Sequence, residues 1–459
     1  MSLLTELCNN FALMHDANLM EKIVSLTKRR GFVFPGSEIY GGLAGIYDYG
    51  PLGVELRHNI KQHFWNKFIG ERDDVYGMSA AILMPERVWE ASGHTELFTD
   101  PLVECSICHE GVRADQPEAI STHEALHEEK VEWSNKDVFN LLVETHLGAS
   151  ERSAVKAYLR GEITQGVHVN FKNVLDSMHP KIPFGIGQIG KAFRNEITPR
   201  DFLYRQREFE QMELQYYIRS NEDEGKRQFE YWKDFAFAWY MSLGFDKKHL
   251  RLRQHADDER AHYAKDAWDI EYETPFGWKE AWGIHHRGDW DLRRHSEYSN
   301  QDLSYFDETT GERFIPWDIE CSGGVDRAVL FVLLEAYRED ELGGEMRSYL
   351  ALTPKIAPVK AMVSPLLKNK PELVEKARVV RAELKKVHPA IAWDDNGNIG
   401  KRYRRQDEIG TPFCITIDFD TLGEKAELKD TVTLRHRDTG EQERLTIPEV
   451  AERIRAAIA

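Results

Sequence analysis

The sequence predicts an α+β protein with a large first part and a smaller α/β tail, and three observations carry that expectation. At 459 residues the chain exceeds one core, since a domain takes roughly 100–200 residues. Residues 1–348 mix a few helix-spaced stretches with long runs of strand-type sequence. Past Gly343-Gly344 helices and strands alternate regularly, as in a small α/β unit over 349–459.

Taken in order, residues 19–30 read as a helix stopped at Gly31, followed by an aromatic, glycine-rich stretch punctuated like strands and turns. Leu56, Ile60, Phe64 and Phe68 recur every four residues, so a helix over 53–68 has one apolar face. VYGMSAAILMP is strand-like up to Pro85. Residues 105–165 are charged, show no dominant period and are expected to form an insertion. Strand-type sequence is expected from Val167 to Tyr217 and from Leu250 to Ile319, with a helix over 222–243 between them. Another helix opens at Val325 and runs to about Tyr337. In the tail, PVKAMVSPL, the helical ELVEKARVVRAELKKV, the short helix NIGKRYRRQDEIG, the strands PFCITIDF and TVTLRHR and the helix PEVAERIRAAI alternate.

No apolar run approaches the ~20 residues that span a bilayer, so a membrane protein is excluded. The N-terminal MSLLTELCNNFALMHDANLMEK lacks the basic start and unbroken apolar stretch of a secretory signal. A cytoplasmic protein is expected, with at most a short dispensable leader. Five cysteines (Cys8, Cys105, Cys108, Cys321 and Cys414) are too few and too odd a set for a disulfide framework. The net charge of −17 disfavours indiscriminate nucleic-acid binding. Residues 351–459 hold 20 Lys and Arg against 17 Asp and Glu, which puts −20 on residues 1–350 and makes the tail the better place for polyanion contacts.

Three segments in the first part bear on chemistry. Gly185, Gly187 and Gly190 match G-x-G-x-x-G, but that pattern must follow a strand and open a helix. Pro183 precedes it and KAFRNEI follows, so a turn leading into a strand is the better account. From Ala192 to Tyr217 the chain reads as two strands around the turn Thr198-Pro199-Arg200-Asp201. Alternation places Arg194 and Glu196 on one face of the first strand, and Arg205, Arg207, Phe209, Gln211 and Glu213 together on the second. Such a face is either a binding site or a salt-bridged surface. In IECSGGVDRAVLF a strand ends at Glu320 to Cys321, two glycines turn, and a helix opens with Asp326 and Arg327. A cation at a helix start needs an anion beside it, either a phosphate or a carboxylate such as Asp326.

Together these segments resemble the three signature motifs of the class II aminoacyl-tRNA synthetases, and most specifically the single-chain, homodimeric glycyl-tRNA synthetase family. The helix over 53–68 with the strand ending at Pro85 resembles motif 1, the dimer interface of that class. FRNEITPRDFLYRQREFEQMEL resembles motif 2 and IECSGGVDR motif 3, while ILMPERVWEASGH and GVHVNFKNV are similar to the glycine family itself. The likeness extends over nearly the whole chain.

The resemblance implies an antiparallel-sheet catalytic domain with helices, a C-terminal α/β anticodon-binding domain, and a homodimer. It implies an enzyme that activates glycine with ATP and then esterifies it onto tRNA(Gly), with no covalent enzyme intermediate. Arg194 and Arg327 would be catalytic, Arg194 holding the α-phosphate and the glycine carboxylate and Arg327 lying on the other side of the bent ATP, and Phe209 and Arg327 would sandwich adenine. Asn195, Glu196, Tyr204, Arg205, Gln206, Arg207, Glu208, Glu280, Ala281, Gly324, Val325 and Asp326 would complete the ATP site, with Glu280 helping to hold Mg²⁺. Glycine would be met by Arg113, by Glu162, by Glu210, Gln211, Met212 and Glu213, and by Glu320, Cys321, Ser322, Gly323 and Gly324. Glu162, Glu213 and Glu320 would surround the ammonium and Ser322 would sit at the α-carbon, so that an extra methyl is rejected at a cost of ~1–3 kcal/mol. The basic run Lys401, Arg402, Arg404 and Arg405 would meet tRNA phosphates; a solvated face paired with Asp407 and Glu408 is the competing account.

The chain departs from the family pattern at Gly161 and Ile163-Thr164, where Pro and Thr-Ala are usual, and at Cys321, where Pro is usual. The charged and polar residues are kept at both places. A catalytically silent relative would be expected to lose Arg194, Arg207 and Arg327, and all three are present. Sister synthetases for proline, threonine or histidine lack the three-glutamate pocket. Cys105-x₂-Cys108 followed by His123-x₃-His127 falls within the spacing of a structural zinc site. The alternative is two free cysteines beside surface histidines, and members of the resembled family do not generally require zinc.

Overall fold

The computed structural model describes residues 18–459 apart from 151, 258 and 261–263; Cys8 and the leader stretch before Asn18 lie outside the described residues. A seven-stranded sheet forms the centre. Its strands are β1 (Val75–Met78), β2 (Phe184–Phe193), β3 (Glu208–Ile218), β4 (Leu250–Gln254), β5 (Asp266–Thr274), β6 (Gly277–Gly288) and β7 (Trp317–Gly324). They lie in the order β4-β5-β6-β7-β3-β2-β1, and all pairings are antiparallel except that of β1 with β2. Helices α1 (Leu19–Arg30), α2 (Pro51–Trp65), α3 (Glu222–Ser242) and α4 (Val325–Ala336) share one core with this sheet. The molecule is α+β, as the sequence predicts.

Local sequence explains the helix layer. α1 buries Leu19, Ile23 and Leu26 and ends at Gly31. α2 starts on Pro51, whose missing N–H costs nothing in a first turn, and buries Leu56, Ile60 and Phe64. It does not continue to residue 68 as an α-helix; it widens into a π turn at Asn66–Gly70, which keeps Phe68 buried. Phe68 stacks on Trp232 of α3 at 6.0 Å and meets Trp282 of β6 at 5.4 Å, so aromatic rings fill the space between helices and sheet.

Several expectations are corrected. The strand-type run from Val167 is helical at first, with helices at Thr164–His168 and Phe171–Met178. Val167 and Phe171 are buried four residues apart, a helical period that the spread of valines disguised. The run from Leu250 to Ile319 is interrupted by the helix Trp290–Ser299 and a hairpin of Tyr305–Asp307 with Glu312–Phe314. VYGMSAAILMP is two strands in two sheets: β1, and Leu83–Pro85, which pairs with Val155–Leu159. Gly185, Gly187 and Gly190 lie inside β2 and not in a turn; a Cβ on Gly190 would collide with the Arg160 guanidinium. Likewise Gly323 and Gly324 continue β7 straight to α4 with no turn, and a side chain on Gly323 would run into the Trp282 ring.

Between β1 and β2 two further sheets form, one of Thr99–Glu104 flanked by Gly111–Arg113 and Asp137–Asn140, the other of Val155–Leu159 flanked by Leu83–Pro85 and Val143–Leu147. The tail has a five-stranded sheet of β8 (Ala361–Pro365), β9 (Ile391–Trp393), β10 (Phe413–Ile417), β11 (Thr431–His436) and β12 (Gln442–Thr446), in the order β9-β8-β10-β11-β12. Helices α5 (Pro371–Lys385), α6 (Ile399–Glu408) and α7 (Ile447–Ile458) accompany it. Leu350, Leu352 and Ile356 pack in the large core, and the tail's own core begins at Ala361.

The basic run on α6 is mostly committed to the protein itself. Arg402 is buried and donates to Ser364 Oγ at 2.7 Å and to the carbonyl of Gly397 at 2.7 Å. Arg404 pairs with Glu345 at 3.0 Å and Arg405 with Asp394 at 2.8 Å. The anticipated partners are engaged elsewhere, Asp407 with Arg347 and Arg435, Glu408 with Arg30. Lys401 is the member left exposed.

Candidate active site

The sheet face turned away from the helices is polar where β3, β7 and β6 run side by side. Register aligns Gln211 with Gly324, Glu213 with Ser322 and Gly283, and Gln215 with Glu320 and His285. A β-bulge adds Glu280 to this floor. Ile270 pairs with Trp282 while Glu271 pairs with Glu280, so β6 carries one extra residue and its alternation shifts there. Trp282 consequently stays in the core while Glu280 faces the cleft.

Over the floor lies a cleft of about 690 Å³ lined by Arg194, Glu196, Leu203, Tyr204, Arg205, Gln206, Phe209, Gln211, Glu280, Ser322, Gly323, Gly324, Asp326 and Arg327. Arg194 is not on a strand: β2 stops at Phe193, and residues 194–207 form a long irregular connection with one short 3₁₀ turn, Phe202–Tyr204. That connection is held from within. Arg207 donates to the carbonyl of Glu196 at 3.0 and 3.1 Å and to that of Ala44 at 3.2 Å. The Arg194 guanidinium lies between Phe98 and Phe209, 5.0 and 5.2 Å from the ring centroids, and donates to the Gly161 carbonyl at 3.1 Å. Arg327 lies over Tyr204 at 4.5 Å and pairs with Glu280 at 3.0 Å, so its carboxylate partner is Glu280 and not Asp326. Although burial alone would raise it, Glu280 is held below the usual carboxylate range by Arg327 and His285.

Asp326 is a brace. Its carboxylate accepts from Tyr49 Oη and from the backbone N–H of Glu210, both at 2.6 Å, which ties the start of α4 to β3.

Three carboxylates form a deeper cluster beside the cleft. Glu213 accepts from Thr164 Oγ1 at 2.5 Å and Gln211 Nε2 at 2.9 Å. Glu320 accepts from Arg287 at 2.5 Å, His285 Nδ1 at 3.0 Å and Ser322 Oγ at 3.0 Å. Glu162 lies 3.3 Å from His94 Nε2 and accepts from Gln165 at 2.9 Å. Their electrostatics differ. Burial, and then the charges of Glu320 and Glu162, push the Glu213 carboxyl well above the usual range. Burial acts on Glu320 too, but Arg287 and His285 outweigh it and hold its carboxylate at about 2. Glu162 is lowered against its burial chiefly by His94. Two neighbours are thus held low while the Glu213 carboxyl is pushed up, so a cation entering among them would favour its ionised form.

Other sequence-derived residues sit elsewhere. Strand alternation sends Glu210 and Met212 to the opposite face from Phe209, Gln211 and Glu213. Glu210 pairs there with Arg57 and Lys61 of α2 at 3.0 and 3.1 Å, and Met212 is in the core. Cys321, Ala281 and Val325 are core residues as well. Glu208 pairs with Lys191 at 2.6 Å. Asn195 is exposed, and Arg113, paired with Asp100 and Asp115, does not itself line the cleft but lies near enough to Glu196 to feel its charge. Sequence reasoning missed His285, Arg287 and Asp291; Arg287 joins Glu320 to Asp291 at 2.8 Å and is almost wholly buried. The dense HHRGDWD run was the available signal.

The cleft thus sets Arg194, Arg205 and Arg327 with Tyr204 and Phe209 beside three clustered glutamates, and comparison with known proteins agrees with what such a site serves. Residues 360–457 match the anticodon binding domain model. The chain is 48% identical to the glycine–tRNA ligase of Caldanaerobacter subterraneus subsp. tengcongensis, covering 94% of this chain and 96% of that protein. It is 48% identical to the glycine–tRNA ligase of Geobacillus thermodenitrificans (95% and 96% covered) and 47% identical to that of Clostridium acetobutylicum (95% and 98%). At that identity over nearly the full length, with Arg194, Phe209, Ser322 and Arg327 lining one cleft, the chain belongs to the glycine–tRNA ligase family.

Proposed function

We propose that this chain condenses glycine with ATP to glycyl-adenylate in the cleft and then transfers the glycyl group to the terminal ribose of tRNA(Gly). The observation that carries the reading is the row Glu213, Ser322 and Glu320 beside a cleft walled by Arg194 and Arg327. Glycine offers only an ammonium, a carboxylate and two hydrogens. The glutamates would take the ammonium, and Ser322 would leave no space at the α-carbon for a methyl.

The carboxylate would then lie toward Arg194, and its oxygen would attack the α-phosphorus with pyrophosphate leaving. Arg194 and Arg327 would neutralise charge building on the equatorial oxygens, while alignment of the two reactants supplies much of the rest. Adenine would lie on Phe209 with Arg327 moved from Tyr204 onto its other face. Glu280, already held as a carboxylate, has the hard oxygen that Mg²⁺ prefers; the ion would help neutralise the ATP phosphates. With purified protein, ATP–pyrophosphate exchange is expected with glycine and to stay at background with alanine, serine and proline. Background exchange with glycine would sink the reading.

The raised Glu213 has a pH consequence. An ammonium bound among the glutamates favours ionised Glu213, so binding expels its proton. Lowering the pH favours the protonated form and opposes binding. Glycine affinity should therefore rise with pH, by up to about tenfold per unit for one proton released, and level off above the raised pKa of Glu213. Calorimetry in buffers of different ionisation enthalpy checks this, and Glu213→Gln should lose the slope. An unchanged slope in that variant would count against the assignment.

We assign residues up to about 348 to catalysis and 349–459 to tRNA recognition, in a homodimeric, cytoplasmic enzyme. No helix among the described residues is long and apolar enough to cross a membrane. Val54, Ile82 and Leu83 expose apolar side chains in the 53–85 region, which suits a subunit interface. Sedimentation at micromolar concentration should give the mass of two chains; a single-chain mass would remove this part of the proposal.

A further inference from the structure

We infer that Cys105, Cys108, His123 and His127 form a structural zinc site that braces the segment between β1 and β2. The four ligand atoms all lie within 4.8 Å of one another. His127 Nε2 is 3.6 Å from Cys105 Sγ, His123 Nε2 is 3.3 Å from Cys108 Sγ, and the two Nε2 atoms are 3.2 Å apart. Zinc with bonds of about 2.3 Å to sulfur and 2.0–2.1 Å to nitrogen sits in a tetrahedron whose edges are roughly 3.3–3.8 Å. The three separations match such edges. Two imidazole nitrogens at that distance, each also against a sulfur, crowd four lone-pair donors around one point, and a cation is what relieves that.

The backbone is shaped for the same purpose. Cys105-Ser106-Ile107-Cys108 makes a tight loop in which the Ile107 N–H points at Cys105 Sγ at 3.4 Å and the His109 N–H donates to the Cys105 carbonyl at 3.0 Å. His109 takes a positive φ of 59°, which returns the chain into the strand Gly111–Arg113. Behind the ligands, Glu110 stands 3.7 Å from His123 Nδ1, the outer contact that orients a ligating imidazole. Cys105 and His123 are buried, while Cys108 is exposed, so the metal would be reachable from one side. The site joins the loop to the helix Pro117–Glu124, and across a groove that helix faces Thr198 and Arg200 of the connection that carries Arg194. Zinc would stiffen the wall against which that connection rests.

Purified under reducing conditions, the full chain should hold one zinc per chain, released by a thiol-reactive mercurial. After exchange with Co²⁺ it should show the visible bands of tetrahedral cobalt together with thiolate charge-transfer absorption. Cys108→Ser changes an exposed side chain and should lose both the zinc and the cobalt spectrum, whereas Cys414→Ala, in the tail sheet, should keep them. The proposal is overturned if wild-type protein reconstituted with zinc holds no more than Cys108→Ser, or if cobalt binds without the thiolate band.

Discussion

Replacing Arg327 with alanine is expected to cut glycine-dependent pyrophosphate exchange by roughly 10²–10³-fold, the cost of removing one charge held beside the reacting phosphate. The geometry sets the size of the effect. Arg327 is held at the cleft wall by Glu280 at 3.0 Å and by its Nε donating to the carbonyl of Tyr204 at 3.2 Å, so the cation needs only a shift off the Tyr204 ring to meet adenine. The fold should tolerate the change. Glu280 and Tyr204 face the open cleft and can turn to water, whereas Asp326 next door, which holds α4 to β3, is untouched. Melting within a few degrees of wild type together with the lost exchange is therefore the expected pair of results. Arg327→Lys should recover little, because a point charge supplies neither the planar face for adenine nor two directed donors. Exchange at the wild-type rate in the alanine variant would dismiss Arg327 from the reaction.

How much of this was legible in the sequence depended on whether one local rule ruled each element. α1, α2 and α3 were readable because their buried residues recur at helical spacing and Gly31 marks the end of α1, whereas α4 buries every residue but Arg327 and was read from its long apolar run. The helices Thr164–His168, Phe171–Met178 and Trp290–Ser299 were not, since valines, aromatics and charges there follow tertiary demands. Within the site, Phe209, Gln211 and Glu213 shared a face as alternation requires. The same alternation excludes Glu210 and Met212, which only the motif resemblance had brought in. Glu280 reaches the cleft through a bulge, and a one-residue insertion in a ladder leaves no trace in composition or period. Arg194 and Arg207 lie on an irregular connection, where hydrogen bonds to carbonyls and not strand geometry set their places. For the same reason charge counting on α6 does not reveal that Arg402 is itself buried and spent on the carbonyls of Asp395 and Gly397.

Asp407→Asn is expected to destabilise the tail by about 3–5 kcal/mol, the cost of leaving buried charge uncompensated. Asp407 is 1% exposed at its side chain and joins two arginines. Arg435 of β11 binds it twice, at 2.8 and 2.9 Å, and Arg347, from the hairpin strand before the tail, binds it at 2.9 Å. Arg347 is itself 1% exposed and keeps Asp340 as a second partner, but Arg435 has no other carboxylate within salt-bridge distance among the described residues. The amide keeps the size of the carboxylate and removes its charge, so the loss reads the electrostatics and not a cavity. Asp430→Asn supplies the contrast. Its pair with Lys376 lies at the surface, where water screens the charges, and its loss should leave the stability nearly unchanged. Urea unfolding followed by tryptophan fluorescence and by circular dichroism checks both variants. Because Asp407 also ties the tail to the hairpin, the Asn variant should depress tRNA charging more than pyrophosphate exchange, which in the proposed division of labour calls only on the cleft around Arg194 and Arg327. Equal stability of the two variants would mean that water or a neighbour compensates Arg435. Equal loss of exchange and charging would mean that the tail supports the cleft itself.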